Sequence, residues 1–259
     1  MRADGVGLRR LTVAALLLLL AGTAGPALAQ NVTEWSTESR IALNFKAPAD
    51  AVQRLLPPGW TVVPSQTPAT AGANLNVTLM ERQMVLDPQG KPIRTGTTRY
   101  IVLTVPARNT QTGQAATMAV RGISPDAPGA YGVYLKATTS RVERTMSGEA
   151  ETSGRVQEQW DFAAASGEQV RLRATYRRAA AGKTHVETVV RSAAHPEFQR
   201  TYRIDQISDV LRNATTPGDR LEQIEFRASG PAFAPLFDGS ETLVAVTAVP
   251  YYVREISIP

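Results

Sequence analysis

The sequence predicts a mainly β fold: a single antiparallel β domain closed into a barrel or cone, with one or two short helices. Three observations carry that expectation. Apolar and polar residues alternate with a period of two through most of the chain, as along strands with one buried face. Turn signals recur at short intervals, at Asp87-Pro88-Gln89-Gly90, Asp126-Ala127-Pro128-Gly129, Ser166-Gly167 and Thr216-Pro217-Gly218. Helical periodicity is scarce. No internal repeat, linker or midpoint shift in composition divides the chain, so one sheet closed on itself is the economical architecture. Of the 259 residues, 43% are hydrophobic and 20% charged, a globular balance that excludes a disordered or fibrous chain.

At the N-terminus, Arg2, Arg9 and Arg10 precede an apolar run from Leu11 to Ala21. Ala27-Leu28-Ala29 then offers small residues where a signal peptidase cuts. A positive start, a short apolar core and an A-x-A end form a secretory signal. The run falls short of the roughly 20 residues that a membrane span needs. Residues 1–29 are therefore expected to be removed, leaving a β domain over residues 30–259. The expected location is periplasmic or secreted, by bacterial export, with no stable membrane insertion after signal removal. An uncleaved anchor is the alternative.

Along the mature chain, a first helix is expected over Pro48–Leu56. Pro48 suits a first helical turn, Asp50 suits its positive end, and Pro57-Pro58-Gly59 stops it. Strands are expected at Arg99–Pro106, Thr117–Ile123, Gln169–Arg177, Thr184–Arg191, Thr201–Ile207 and Thr242–Val249, each rich in Val, Ile, Thr or Tyr. In Gln169–Arg177, Val170, Leu172, Ala174 and Tyr176 face one way and Arg171, Arg173 and Arg177 the other, the pattern of a sheet with one wet face. A shorter turn is expected at Pro231–Phe237. Trp35, Trp60 and Trp160 read as core or pocket wall.

Composition removes several classes of function. The chain has no cysteine, which excludes a disulfide framework, a Cys-ligated metal site and a cysteine nucleophile. Loss of residues 1–29 takes away three arginines and Asp4, so the formal charge falls from +5 to +3. That charge is small and interspersed with acids, so nucleic acid is not an expected partner. His185-Val186-Glu187 and His195-Pro196-Glu197 each set a histidine and a carboxylate on one strand face. That spacing is open to a metal site or to ordinary surface histidines, and no metal or cofactor is assigned. No phosphate loop and no G-x-S-x-G elbow occurs. The 28 basic residues include only four lysines, Lys46, Lys91, Lys136 and Lys183. Lys46 starts the helix segment, Lys91 and Lys183 adjoin glycines in expected turns, and Lys136 lies in a strand-like run.

Phe45–Pro57 (FKAPADAVQRLLP) reads as a strand end, a short helix and an "L-P-P" stop. This order resembles the start of the acetoacetate decarboxylase family. Further matches follow in sequence: Arg99–Pro106 resembles a strand ending in Val-Pro, Ala130–Lys136 (AYGVYLK) falls where the family carries its lysine segment, and Phe233–Ser257 resembles the closing turn and last strands. The resemblance implies a β-cone with a water-poor central pocket. There a lysine forms a Schiff base with a β-keto acid, and the iminium accepts the electrons released as CO2 leaves. Tyr134-Leu135-Lys136 matches Tyr-x-Lys, with Leu135 for the family's proline and Ala137 for its second lysine. A rival register puts Val133 at the lysine position and leaves no nucleophile.

With Ala137 in place, desolvation is the means left to lower the pKa of Lys136. By alternation Lys136 shares a face with Tyr134, Thr138 and Ser140, and that face either lines a polar pocket or meets solvent. The resemblance makes Lys136 the catalytic candidate, and Tyr134, Arg40 and Tyr100 the substrate-binding candidates. The family's arginine near the first strand aligns with Glu38, beside Arg40. Its two pocket glutamates align with Asn76 or a neighbour and with Tyr100, while Glu81 lies off register. The expected function is an exported protein acting on a small keto acid or other carbonyl compound. The alternatives are a non-catalytic carrier of a small apolar ligand in the same fold and an envelope protein with a filled barrel. The expected partner is a small molecule, and oligomerisation is open.

Overall fold

The computed structural model describes residues 31–149, 154–179, 181–215 and 219–259. The signal-peptide reading of residues 1–29 and the turn at Thr216–Gly218 lie outside the described residues. In chain order the elements are β1 (Asn31–Lys46), α1 (Ala49–Gln53), β2 (Trp60–Val62), β3 (Leu75–Leu86), β4 (Thr98–Asn109), β5 (Ala115–Ser124), β6 (Tyr134–Ser147), β7 (Arg155–Ala164), β8 (Gln169–Arg177), β9 (Gly182–Ser192), β10 (Gln199–Arg212), β11 (Leu221–Ser229) and β12 (Thr242–Ile258). The fold is mainly β, as the alternating pattern predicts.

Seven strands close on themselves in the order β5-β9-β10-β12-β1-β3-β4, with β4 pairing back to β5. Of the remaining strands, β2 pairs with β4, and β6-β7-β8-β11 form a wing that branches from β5. One edge of β5 makes both junctions. Thr117–Ala119 pairs in parallel with Val190–Ser192 of β9, and Gly122–Ser124 in parallel with Tyr134–Lys136 of β6. The other named strand pairings are antiparallel, so the sheet is mixed only where the barrel meets its wing.

The same barrel strands bury two different faces. Ile41, Leu43 and Phe45 of β1, Val77 and Leu79 of β3, and Ile101, Leu103 and Val105 of β4 pack with Trp160, Phe162 and Leu172 of the wing. Burying each such side chain fully contributes about 1.5–3 kcal/mol. The alternate residues Met80, Tyr100, Val102, Ile204, Val249 and Tyr252 form a second cluster toward the barrel interior. Because β4 is covered on both faces, RYIVLTVP reads as a nearly continuous apolar run.

Several sequence expectations shift by a residue or a strand. The expected strand Thr242–Val249 continues to Ile258, because Pro250 falls in a bulge where no ladder N–H is needed: Glu38 pairs with Tyr252 but Arg40 with Val249. Of the Pro48–Leu56 segment, only Ala49–Gln53 is α-helical, capped by Pro48. Lys183 belongs to β9, not to a turn. Val170, Leu172, Ala174 and Tyr176 are buried as expected. Trp60 and Trp160 are buried, but Trp35 is 37% exposed on the outer barrel wall. No helix among the described residues is long and apolar enough to cross a membrane.

Candidate functional site

A pocket of about 240 Å³ opens at the end of the barrel interior, where β1, β3, β4, β10 and β12 meet the start of β6. Its walls carry four tyrosines, Tyr100, Tyr131, Tyr134 and Tyr202, and four arginines, Arg82, Arg94, Arg200 and Arg254. Alternation along the strands accounts for this. Residues flanking Ile101 on β4 and those two apart on β12 turn inward while their neighbours serve the apolar core.

Two glycines seat the Tyr134 ring. A Cβ on Gly122 would stand 2.2 Å from the Ile101 carbonyl oxygen and 2.6 Å from the Tyr134 ring. A Cβ on Gly129, whose φ is +65°, would stand 2.7 Å from the other side of that ring. Only backbone fits on either side. Tyr134 meets Tyr100 edge-to-face, with centroids 6.0 Å apart. Tyr131 Oη lies 2.5 Å from Tyr202 Oη, and the Tyr131 backbone carbonyl accepts from Ser192 Oγ at 2.5 Å.

Beneath the tyrosines lies a buried carboxylate. Glu38 is wholly buried and accepts hydrogen bonds from Ser36 Oγ at 2.7 Å and from Tyr252 Oη, with an ion pair to Arg254. Arg82 Nε stands 3.4 Å from the same carboxylate, and its terminal nitrogen pairs with Glu34. Burial by itself would lower the affinity of Arg254 for its proton, but Glu38 together with the neighbouring Tyr100, Tyr252 and Tyr202 more than offsets this, and the net shift is upward. Burial raises the Tyr100 and Tyr252 phenols, with Glu38 adding to the rise. Burial raises Tyr134 as well, assisted by Tyr100, and Tyr131, assisted by Tyr202. All four phenols therefore hold their protons at neutral pH and act as hydrogen-bond donors, not bases.

The charges do not cancel. Glu34 and Glu38 engage Arg82 and Arg254, and Asp126 engages Arg94. Among the described residues Arg200 has no carboxylate partner. Its Nε is buried without a hydrogen-bond partner, and its guanidinium stands 5.9 Å from the Phe198 ring centroid. One uncompensated guanidinium beside neutral phenol donors is a site for a small anion with further polar oxygens.

The residues named from the sequence divide. Tyr100 and Tyr134 line the pocket. Arg40 stands behind it, its guanidinium 4.7 Å from the Tyr252 ring centroid and bonded to Gln206. Lys136 is exposed and its Nζ donates to the Pro125 carbonyl at 2.6 Å; the pocket lining holds no lysine. The alternation argument puts Lys136 on the Tyr134 face, but β6 pairs with β5 only through residue 136 and then leaves with the wing, so the two side chains part at the rim. Glu81 pairs with Arg99 at 2.8 Å and with Arg144 at 3.4 Å, in a cluster that also holds Glu158. His185 stands 3.0 Å from Asp205 on β10, and His195 packs against Gly132.

Sequence reasoning did not find Glu38, Arg200, Tyr202 and Arg254 as a site. The available signal was a charge inside an otherwise apolar strand, as in YYVREIS, and a glycine inside a strand, as in RGIS.

The chain has the acetoacetate decarboxylase-like fold. It is similar to the enduracididine biosynthesis enzyme MppR with HEPES buffer bound, at TM-score 0.52 and 13% identity over 90% of this chain and 87% of that one. The complex of MppR with pyruvate aligns at TM-score 0.51 and 12% identity, over 95% of each chain. An acetoacetate decarboxylase-like enzyme from Sphingomonas wittichii RW1 aligns at TM-score 0.49 and 12% identity, over 88% of this chain and 92% of that one. No protein-family model and no curated protein sequence matches the chain.

Proposed function

We propose that the tyrosine–arginine pocket binds a small keto acid or related carbonyl-bearing carboxylate. Arg200 takes the carboxylate, and the Tyr100 and Tyr134 phenols donate to the carbonyl oxygen. The observation that carries the reading is Arg200: it is the one lining arginine without a carboxylate partner among the described residues. A monoanion of a few heavy atoms suits both the surplus charge and the volume of about 240 Å³. The pyruvate complex of MppR, which shares the fold, supports the ligand class.

The chemistry that follows is carbonyl polarisation by neutral phenol donors, which stabilises negative charge developing on that oxygen. A Schiff base at Lys136 is the other route, and it requires the side chain to leave Pro125 and enter the pocket. A lining rich in arginine gives the apolar-ligand reading no support. The test is calorimetric titration with pyruvate, with a neutral methyl ketone as control, followed by borohydride trapping and peptide mapping. Pyruvate binding without the ketone, and without label on Lys136, is the expected result. Label on Lys136 moves the chemistry to the lysine, and a folded protein that binds no small keto acid at millimolar concentration overturns the proposal. We infer export, to the periplasm or medium, from the N-terminal signal pattern; fractionation of the native host with N-terminal sequencing of the mature protein tests it.

A further inference from the structure

The two strands that end the sheet are built differently. β2, at one end, is three residues long, too short to template another strand. β11, at the other, runs for nine residues and pairs with β8 along one edge. Among the described residues nothing pairs with its other edge. From Gln223 to Ser229 it has no proline, no lysine and no bulge; the register shift is confined to Leu221/Gln223. These are the devices that ordinarily block edge pairing.

The side chains of β11 also stand half finished. Ile224, Phe226 and Ala228 pack against the apolar core yet remain partly exposed. Phe226 lies 5.2 Å from Phe45 and 5.0 Å from Phe237 between ring centroids. Glu225 and Arg227 alternate onto the opposite, outer face, where they pair with each other at 2.6 Å and the Arg227 side chain stays 78% exposed, open to a cross-strand partner. An open groove of about 800 Å³ crosses the wing from Thr139 of β6 to Phe226–Ser229 of β11.

We propose that the free edge of β11 is a homodimer interface, in which two copies pair antiparallel about a twofold axis at Phe226 and join their wings into one sheet. The strand itself selects this register. Residues opposed across a sheet share a face, so the axis must pass at a residue. An axis at Glu225 sets that carboxylate against itself, and one at Arg227 sets two guanidiniums together. With the axis at Phe226, Glu225 faces Arg227 of the partner subunit and Arg227 faces the partner's Glu225. On the inner face Phe226 meets its symmetry mate and Ile224 meets the partner's Ala228, which completes their burial. The contact is isologous and closed, which limits assembly to a pair. It is independent of what the pocket binds.

Sedimentation equilibrium of the purified protein, with circular dichroism as a check on folding, tests this. The wild type is expected to dimerise, and E225R and R227E are each expected to weaken dimerisation roughly tenfold or more by opposing like charges. Mixed in equal amounts, the two variants are expected to form a heterodimer, because every opposed pair is again Glu with Arg. The double variant E225R/R227E is expected to regain the homodimer, and it reads the interface even where one single variant fails to fold. A folded wild type that stays monomeric, a dimer indifferent to both reversals, or a folded double variant that stays monomeric overturns the proposal.

Discussion

Two faces of the same strands do opposite work in this molecule. On one side of β1, β3 and β4, Leu43, Leu79 and Leu103 bury wholly against the wing. On the other, Glu34, Arg82 and Tyr100 line a small cavity, with Glu38 buried beneath it. The first face contributes stability through area removed from water. The second holds charges, and wholly buried Glu38 is tolerable there because Arg254, Tyr252 and Ser36 engage it; Arg200 is the charge left over. The difference teaches that the site is supported by the core through shared backbone: the two faces are one residue apart along every strand. Binding groups can therefore be held rigidly without a loop.

The sharpest way to break that arrangement is Glu38→Gln. It leaves Arg254 and Arg82 without their shared carboxylate, and loss of one partner of a buried ion pair costs about 3–5 kcal/mol, read as a fall in the urea unfolding midpoint together with lost ligand binding. Leu43→Ala on the opposite face is expected to cost about 2–5 kcal/mol through the cavity it leaves, while the variant, where folded, binds ligand as wild type does. Gly122→Ala is expected to cost roughly 1–3 kcal/mol, since its Cβ meets the Ile101 carbonyl and the Tyr134 ring. Unlike Leu43→Ala, it is expected to weaken binding also, because it unseats Tyr134.

Alkaline titration sharpens the comparison further. The Tyr100, Tyr131, Tyr134 and Tyr252 phenols are raised above their ordinary value of 10.0. Their neutral forms are favoured in the folded state, so this contribution is fully present below pH 10 and is lost as pH rises beyond it. Tyrosinate absorbance from these four is expected to appear together with unfolding, not before it. Early titration of four phenols in folded protein would show the pocket to be wet.

How much of this was legible depends on which face a residue serves. Residues 170–177 announced their strand because one face is uniformly apolar and the other carries Arg171, Arg173 and Arg177. β1 and β7 were not picked out by period, because Glu38 and Glu158 sit at inward positions where a pattern search expects apolar groups. Tyr100 and Tyr134 came from a resemblance of order, and they do line the pocket. The charge in YYVREIS sets Arg254 apart, but neither it nor Arg200 could be tied to the site, because both join it across strand pairings, not along the sequence. Arg254 reaches Glu38 over 216 residues through the β1–β12 ladder. The divergence of Lys136 from Tyr134 was equally hidden, since it depends on where β6 leaves the barrel.

The central claim is that the pocket cation and not the lysine receives the ligand. Parallel pyruvate titrations of wild type, Arg200→Gln and Lys136→Ala test it most directly. The account predicts that Arg200→Gln keeps its stability within about 0.5 kcal/mol yet binds roughly tenfold or more weakly, through loss of a charge-assisted contact, while Lys136→Ala binds as wild type does. Unchanged binding by Arg200→Gln, with binding abolished in folded Lys136→Ala, would contradict it.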